Sequence, residues 1–483
     1  MMYGANSSKS EYADGQRARV RHLMLACLLA PLLLLAFGGC DAPVAPHPSP
    51  HIDSALSILT QHTVLRASDG TVRWTGDLGI DPPTVSGGVA YTETFTNVMG
   101  ALSARRIEDG SVLWTYQIQD TMGPITLANG LVVLSTWQSD GLVLVALQAS
   151  TGNVVWRSAS IPAVVRRSVD TSEPFMSQPV FSAGYIIAAL DSAGDTSFVV
   201  AWNVTDGSVA WQEALSDATP YAGVGAHLEV FGSSVVTWYD GGGFLAIGAL
   251  DPHTGARTWS ITEDEAGAVI VAHRVIVITQ PASFTVTAVR PSDGTTLWRW
   301  RPTPHPATLP NDTFGLRELS ADDSAILLES FDRPDTCASG TLTSAVTRNP
   351  DLLSHLGCPQ LFAVNVTTGS LLWRHTLDVT PFDSLWSVAG NGAFYYKYVN
   401  DKLPETHYIL MSFDANGGAL RWKQEIGGYT RAESAHDGVL YSLFQAGLAT
   451  DRKVTALDAA SGEYVWTSTI GGPNDSSHWL MVA

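Results

Sequence analysis

Four cysteines carry the most reactive side chains in this sequence. A thiol can form a disulfide, accept a lipid or bind a metal, and its neighbours and compartment decide which. Cys337 and Cys358 have only His355 as a further metal ligand nearby. In an exported protein an even pair of this kind favours a disulfide. We therefore predict a Cys337–Cys358 disulfide, with a metal site as the alternative.

The N-terminus predicts that the chain is exported. Three arginines precede an apolar run from Leu23 to Phe37, which is too short to span a bilayer comfortably and is typical of a signal peptide. The run ends in Phe37-Gly38-Gly39-Cys40, which resembles a bacterial lipobox except that Phe37 stands where Leu is usual. We predict that residues 1–39 are a signal peptide and that Cys40 is lipidated. Simple secretion is the alternative.

No motif in the sequence assigns a catalytic reaction. There is no Gly-x-Ser-x-Gly, no His-Glu-x-x-His and no Gly-rich phosphate-binding loop. Carboxylates in predicted connections could bind Ca²⁺, although solvated turn residues are the commoner reading, and they are Asp191, Asp195, Asp332 and Asp335. We assign no catalytic, cofactor-binding or metal-binding residue and expect the protein not to be an enzyme.

The elements that would position a site come from a repeat. Alanine usually stands six positions before a glycine, and a tryptophan stands four positions after it. This pattern predicts a strand, a tight turn in which Gly supplies a positive φ, and a second strand that carries the Trp. The residue two positions after Gly should share the face of the Trp, and a ring of such hairpins could bury each Trp against its neighbour's turn. The nine copies are Gly70/Trp74, Gly110/Trp114, Gly152/Trp156, Gly207/Trp211, Gly255/Trp259, Gly294/Trp298, Gly369/Trp373, Gly418/Trp422 and Gly462/Trp466.

The repeat resembles the tryptophan-docking motif of the pyrroloquinoline quinone (PQQ)-like β-propeller superfamily, whose form is about Ala-x-Asp-x-x-x-Gly-x-x-x-Trp. Asp251 and Asp458 match its aspartate, whereas Arg66, Arg106 and Arg290 stand in that place in other copies. The resemblance extends from about residue 63 to the C-terminus. It implies an all-β propeller of four-stranded antiparallel blades. It is informative about fold rather than chemistry, because such folds host unrelated functions.

The spacing of the motifs sets the expected number of blades. Eight complete sets of strands A, B, C and the Trp-bearing D lie between Trp74 and Trp466, and the first hairpin, Val64–Leu78, has no A or B strand before it. A blade is about 40 residues. We predict one propeller domain at residues 63–483 with eight blades, with seven or nine as alternatives. Residues 40–62 are predicted to be a Pro-rich tether.

The long connections are predicted to lie on one face of the disc. Antiparallel alternation puts the D-to-A and B-to-C connections on one face, which we call the loop face, and the short C-to-D turns on the other. The longest connections, at 158–176, 301–312, 332–359 and 400–406, all fall on the loop face. Binding residues concentrate on loops carried by a rigid scaffold, so we predict a binding site there. Tolerated drift in surface loops is the alternative.

Composition limits the partners. The formal net charge of −19 argues against nucleic acid and against electrostatic binding to anionic lipid. We predict a monomeric, lipid-anchored, non-catalytic scaffold that binds a protein at the cell envelope. The chain is similar to the propeller lipoprotein of the outer-membrane barrel-assembly machinery, which implies such a role.

Two alternatives involve a small ligand. The first is a quinoprotein that binds PQQ and Ca²⁺ at the central channel. PQQ dehydrogenases carry a pair of adjacent cysteines and a Ca²⁺ site, and this sequence has no Cys-Cys pair, so we predict no cofactor. The second alternative is an extracytoplasmic carbohydrate-binding module.

Overall fold

The structure is a computed structural model. It describes residues 52–95, 100–118, 121–138, 141–161, 176–191, 197–215, 226–240, 245–263, 267–272, 275–281, 283–302, 317–321, 324–331, 359–377, 384–400, 407–427, 429–445, 451–471 and 479–483. Residues 49–483 form one compact unit. In the described part of the chain the strands pair into nine antiparallel sheets of four strands each. No helix among these residues is long and apolar enough to cross a membrane.

The first three strands belong to the blade that closes the ring, and blades 1 to 4 follow. The opening strands are β1 (Ser57–Thr60), β2 (Thr63–Arg66) and β3 (Val72–Thr75). Blade 1 consists of β4 (Thr84–Ser86), β5 (Val89–Phe95), β6 (Gly100–Arg106) and β7 (Val112–Ile118), and blade 2 of β8 (Thr121–Ala128), β9 (Leu131–Gln138), β10 (Gly141–Gln148) and β11 (Val154–Arg157). Blade 3 consists of β12 (Val180–Ser182), β13 (Tyr185–Asp191), β14 (Ser197–Asn203) and β15 (Val209–Ala214), and blade 4 of β16 (His227–Phe231), β17 (Ser234–Asp240), β18 (Leu245–Leu250) and β19 (Arg257–Glu263).

Blades 5 to 8 continue in the same order, and one short strand ends the chain. Blade 5 consists of β20 (Ala268–Ala272), β21 (Val275–Gln280), β22 (Thr285–Val289) and β23 (Thr296–Trp300), and blade 6 of β24 (Arg317–Ala321), β25 (Ala325–Phe331), β26 (Pro359–Asn365) and β27 (Leu371–Thr376). Blade 7 consists of β28 (Ser384–Gly390), β29 (Ala393–Asn400), β30 (His407–Asp414) and β31 (Leu420–Gly427), and blade 8 of β32 (Tyr429–His436), β33 (Val439–Gln445), β34 (Arg452–Asp458) and β35 (Tyr464–Gly471). The last strand is β36 (Leu480–Val482).

The two ends of the chain build the ninth blade together. β36 pairs antiparallel with β1, with Ile58 opposite Val482 and Leu59 opposite Met481, which gives the strand order β3-β2-β1-β36. β1 therefore supplies the B strand and β36 supplies the A strand of the closing blade. Pairing of this kind removes an open sheet edge.

This pairing corrects the expected blade number from eight to nine. The hairpin Val64–Leu78 was expected to lack A and B strands, but β1 lies just before it, inside the range 40–62 assigned to the tether. The described part of the propeller accordingly begins before residue 63. Both added strands are only three or four residues long and carry no Gly-Trp motif, so the sequence repeat did not reveal them.

The core lies between the blades. Leu144 and Ala146 of blade 2 pack with Ile186 and Val200 of blade 3 in one apolar cluster, and comparable clusters join other neighbouring blades. The third strands are covered on both sides by the adjacent blades, which is why β10 is buried along all but its last residue. The first strands of successive blades, such as β24, β28 and β32, contact one another and lie nearest the axis.

Candidate functional site

The Gly-Trp motif joins each blade to the next. Every motif tryptophan packs on the motif glycine of the following blade, so the two residues that touch come from successive copies of the repeat. All eighteen motif residues therefore lie in contacts between successive blades, where their role is structural. The nine contacts are Trp74–Gly110, Trp114–Gly152, Trp156–Gly207, Trp211–Gly255, Trp259–Gly294, Trp298–Gly369, Trp373–Gly418, Trp422–Gly462 and Trp466–Gly70.

A hydrogen bond accompanies each of these contacts. Each indole Nε1 donates to the backbone carbonyl oxygen three residues before the glycine on which the ring packs, at 2.7 to 3.0 Å. The indole thus buries an apolar face and satisfies its one polar group in the same turn.

The nine tryptophans differ in burial, which their identical motif does not predict. Five of them are buried, namely Trp114, Trp156, Trp298, Trp373 and Trp422. The other four are only partly buried, and they are Trp74, Trp211, Trp259 and Trp466. All nine pack against a neighbour's turn as expected, and these four rings remain partly exposed. Each motif Trp lies on the last strand of its sheet, where no further strand of the same blade covers it.

These contacts require glycine for two reasons. The nine motif glycines have φ between 68° and 76°, in the left-handed region that other residues avoid. A Cβ placed on any of them would lie 2.4 to 2.7 Å from an indole carbon of the preceding blade. A methyl group would therefore be strained by its backbone and would also clash with the tryptophan.

The turns before these glycines are built in two ways. Asp458 accepts hydrogen bonds from the backbone N–H groups of the next residues, as do the side chains at three equivalent positions, Asp251, Asn365 and Asp414. Where arginine replaces this residue, an aspartate directly before the glycine closes the turn instead. Asp293 accepts from the Thr295 hydroxyl and backbone N–H and pairs with Arg290 at 2.9 Å, and these contacts lower its pKa to about 2. In the copies with arginine at this position, the aspartate before the glycine therefore caps the turn.

The residues two positions after the glycines do not share the environment of the tryptophans, so the expectation of one common apolar face is wrong. The reason is a register shift inside every motif. In blade 1, for example, Trp114 pairs with Ala104, but Val112 pairs with the next residue, Arg105. The extra residue breaks the alternation of two on which the expectation rested. The exposed residues, each about half exposed, are Val72, Val112, Val154, Val209, Leu371 and Leu420.

The same shift occurs in the other eight copies. In each of them the tryptophan pairs with the residue six positions before its own glycine, and the next pair along the strand is offset by one residue. The tryptophans beside these shifts are Trp74, Trp156, Trp211, Trp259, Trp298, Trp373, Trp422 and Trp466.

Several residues predicted from the sequence lie outside the described residues. They include the lipidation candidate Cys40 and both disulfide candidates, Cys337 and Cys358, together with Asp195, Asp332 and Asp335. Asp191 ends β13. Among the described residues, no group of three or more His, Cys, Asp or Glu side chains could hold a metal ion.

The described strands fix where two of the long connections begin and end. Segment 332–358 joins the end of β25 to the start of β26 in blade 6, and segment 401–406 joins β29 to β30 in blade 7. Both are B-to-C connections of neighbouring blades. Their ends therefore meet the same face of the ring, which is the loop face.

A chain of buried polar contacts crosses blades 6 to 8 beneath these strand ends. Tyr396 and Lys397 are consecutive in β29 and point to opposite sides of blade 7. The Tyr396 hydroxyl donates to Glu329 Oε1 of blade 6 at 2.7 Å. Lys397 Nζ donates to Glu433 Oε1 of blade 8 at 3.1 Å, and both side chains are almost fully buried.

These contacts hold the blades beneath the loop face in one specific arrangement. A buried ion pair contributes little net stability, but breaking it leaves a charge without compensation, so it selects one arrangement of its neighbours. Here the selected arrangement is that of blades 6, 7 and 8, two of which carry long connections. The sequence carries one signal of this feature, a lysine inside the apolar strand Ala393–Asn400.

The residues described do not fit PQQ with Ca²⁺. A Ca²⁺ ion needs six to eight oxygen ligands, and the described part of the chain offers no cluster of carboxylates for it. The sequence also has no adjacent cysteines.

A family model and a solved structure of that family are similar to the chain. The family model described as outer membrane protein assembly factor BamB matches residues 60–300 and 199–468. Among solved structures, BamB from Moraxella catarrhalis is 16% identical, with 78% of this chain and 95% of that chain covered and a TM-score of 0.42. No curated protein matches the chain.

Solved structures of two enzymes are also similar to the chain. A europium-containing methanol dehydrogenase is 12% identical, with 87% of this chain and 81% of that chain covered and a TM-score of 0.43. Quinohemoprotein alcohol dehydrogenase from Comamonas testosteroni is 14% identical, with 87% and 70% covered and a TM-score of 0.43. Likeness at this level does not decide between an enzyme and a binding protein. The family match covers more than half of the chain, and the protein belongs to the PQQ-like β-propeller family described as outer membrane protein assembly factor BamB.

Proposed function

We propose that this protein is a non-catalytic scaffold at the cell envelope that binds a protein component of outer-membrane protein assembly. The observation that carries the proposal is the match of two overlapping stretches, 60–300 and 199–468, to the assembly-factor family. A rigid ring closed by nine tryptophan contacts in its described residues suits a scaffold, because it holds its loops in fixed relative positions.

We place the partner site on the loop face of blades 6 and 7. Two long B-to-C connections start from neighbouring blades there. The contacts Tyr396–Glu329 and Lys397–Glu433 tie those blades to each other and to blade 8. Acidic net charge favours a partner surface with basic or neutral character.

The test is a deletion of residues 336–357, replaced by a short Gly-Ser linker, with Cys358→Ser to avoid a free thiol. The variant should keep the unfolding midpoint of the parent, because the deletion leaves every described strand in place. It should lose crosslinked capture of an outer-membrane protein assembly component, identified by mass spectrometry. The matched control is Val154→Ser with Val155→Ser, two exposed residues of the opposite face. Capture that survives the deletion, or is lost in the control, would refute this site.

We propose that Cys40 anchors the scaffold to a membrane, after cleavage of residues 1–39. Metabolic labelling with palmitate tests the anchor. The parent and Cys27→Ser should be labelled and should sediment with membranes, whereas Cys40→Ser should lose the label. Labelling that persists in Cys40→Ser would contradict the lipid anchor at Cys40 but would not contradict the propeller fold.

A further inference from the structure

A cleft of about 200 Å³ opens between blades 7 and 8. Leu410 and Ile426 line it on the side of blade 7. Ser442, Thr455 and Tyr464 line it on the side of blade 8, together with Phe444, Lys453, Leu457 and Thr467. The cleft is distinct from the loop-face site, because its walls are strands β30 and β31 of blade 7 and β33 to β35 of blade 8 rather than connections between strands.

A row of polar residues crosses blade 8 and faces this cleft. The strand register places Glu433 opposite Ser442, Ser442 opposite Thr455, and Thr455 opposite Thr467. Cross-strand partners share one face of a sheet. The facing row of blade 7 is Lys397, Leu410 and Gln424. The buried ion pair Lys397–Glu433 closes the inner end of the row, at 3.1 Å.

Three polar atoms in these two rows have no hydrogen-bond partner among the described residues. They are Ser442 Oγ, Glu433 Oε2 and Gln424 Oε1. Ser442 is only 3% exposed and lines the cleft directly. Of the three residues, only Ser442 lines the cleft. Buried polar atoms are almost always hydrogen-bonded, so the unpartnered Ser442 hydroxyl indicates a polar occupant.

The first three positions of the same row are apolar in another blade. In blade 2 the equivalent residues are Ile125, Leu134 and Val145, which lie in an apolar cluster with blade 1. Blade 4 has Thr237 at the position of Ser442, and its hydroxyl also lacks a partner among the described residues. The cavity beside Thr237 measures only about 20 Å³, which holds little more than a water molecule.

We propose that the cleft between blades 7 and 8 binds a neutral, hydroxyl-rich ligand the size of a single hexose. The Ser442 hydroxyl can donate or accept, and so can the hydroxyls of Thr455 and Thr467, which also line the cleft. Sugar hydroxyls both donate and accept, so one ring can pair with this set. Lys453 can donate to a further hydroxyl, and Phe444 and Tyr464 offer apolar ring surface for the C–H groups of a sugar.

Charge disfavours the other small ligands. An organic cation would meet Lys453 at the cleft and find Glu433 already paired with Lys397. An anion would find Lys397 already paired with Glu433, and the net charge of −19 disfavours it. A volume of about 200 Å³ exceeds that of one water molecule several-fold.

The experiment is saturation-transfer difference NMR on the full chain in a detergent without a sugar headgroup. The probes are D-glucose, D-galactose and N-acetyl-D-glucosamine, each titrated to about 100 mM, with putrescine as a cationic probe. Thr467→Trp fills the outer end of the cleft at an exposed position, so it should fold normally and abolish binding. Ser442→Ala should weaken binding about five- to tenfold, the effect of one hydrogen bond. Thr237→Val is the matched control and should bind like the parent.

Saturable binding of at least one hexose with this pattern of variants is the result that the proposal requires. The proposal is overturned if no hexose binds, which would leave the cleft to water, or if putrescine alone binds. It is also overturned if Thr467→Trp binds as the parent does, because the sugar would then occupy another site. None of these outcomes bears on partner capture at the loop face.

Discussion

Trp466 packs its indole on Gly70 and donates its Nε1–H to the carbonyl oxygen of Ala67 at 2.8 Å. Trp466 and the turn that contains Ala67 and Gly70 lie near opposite ends of the chain. Eight equivalent contacts join successive blades, and this ninth one returns to the first motif. Together with the pairing of β36 and β1, it closes the ring.

Gly70→Ala should destabilise the protein far more than Gly87→Ala. Both glycines have positive φ, but a Cβ on Gly70 would lie 2.4 Å from the Trp466 ring, whereas nothing lies within 4 Å of one on Gly87. Gly87→Ala should cost about 1 kcal/mol for its backbone, and Gly70→Ala about 3 kcal/mol or more. Urea unfolding followed by tryptophan fluorescence measures both. Equal losses would show that the Trp466 contact does not form.

Ser57→Cys with Ala483→Cys should form a disulfide. The backbones of Ser57 and Ala483 exchange two hydrogen bonds, of 2.7 and 2.9 Å, and such pairs have a Cα separation of about 5.5 Å. The crosslink closes nearly the whole propeller and should raise the unfolding midpoint under oxidising conditions. Peptide mapping by mass spectrometry identifies the bond. Its failure to form without reductant, with each single variant folded, would contradict closure by the chain ends.

The sequence was sufficient for most of the ring. The Gly-Trp spacing predicted the turns and the Trp-bearing strands, because each motif is local and contains its own cap. The motif itself contains neither β1 nor β36, whose pairing joins Ile58 to Val482. The exposure of Val112 was also missed, because a one-residue shift in register reverses which side of a strand is buried.

The polar contacts of the candidate sites were harder to predict from the sequence. Lys397 and Glu433 meet only because two separate strands align in adjacent blades. Ser442 is an ordinary strand residue until its register partners are known. Such contacts depend on how blades stack, which no local pattern encodes.

Lys397→Met should destabilise the fold by about 3 kcal/mol, because it leaves the Glu433 carboxylate buried without its cation. Adding Glu433→Gln should recover about half of the loss. The control is Arg290→Met, which breaks a pair whose side chains are about half exposed and should cost less than about 1 kcal/mol. A double variant as unstable as Lys397→Met alone would mean that the two residues do not form a pair.

Glu93 should make the stability of the protein depend on pH. Burial, with a smaller effect from the charge of Asp81, raises the pKa of its carboxyl from 4.5 to about 7. The folded state then binds the proton more tightly than the unfolded state, so stability falls as pH rises from about 4.5 to about 7.

Glu93→Gln should reduce this loss of stability by about 2 kcal/mol between about pH 4.5 and about pH 7. Urea midpoints at several pH values measure the change. The exposed Glu108→Gln serves as the control and should keep the profile of the parent. An unchanged profile in Glu93→Gln would show that the carboxyl does not titrate in this range.

Site-specific photocrosslinking in cells tests the central claim of a partner on the loop face most directly. A photoreactive phenylalanine would replace Thr341 or Lys402, in the long connections of blades 6 and 7, or Thr71 or Glu463, in C-to-D turns. We predict crosslinks from Thr341 and Lys402 to the same protein partner and none from Thr71 or Glu463. Crosslinks from the C-to-D turns alone, or from no position, would contradict the account.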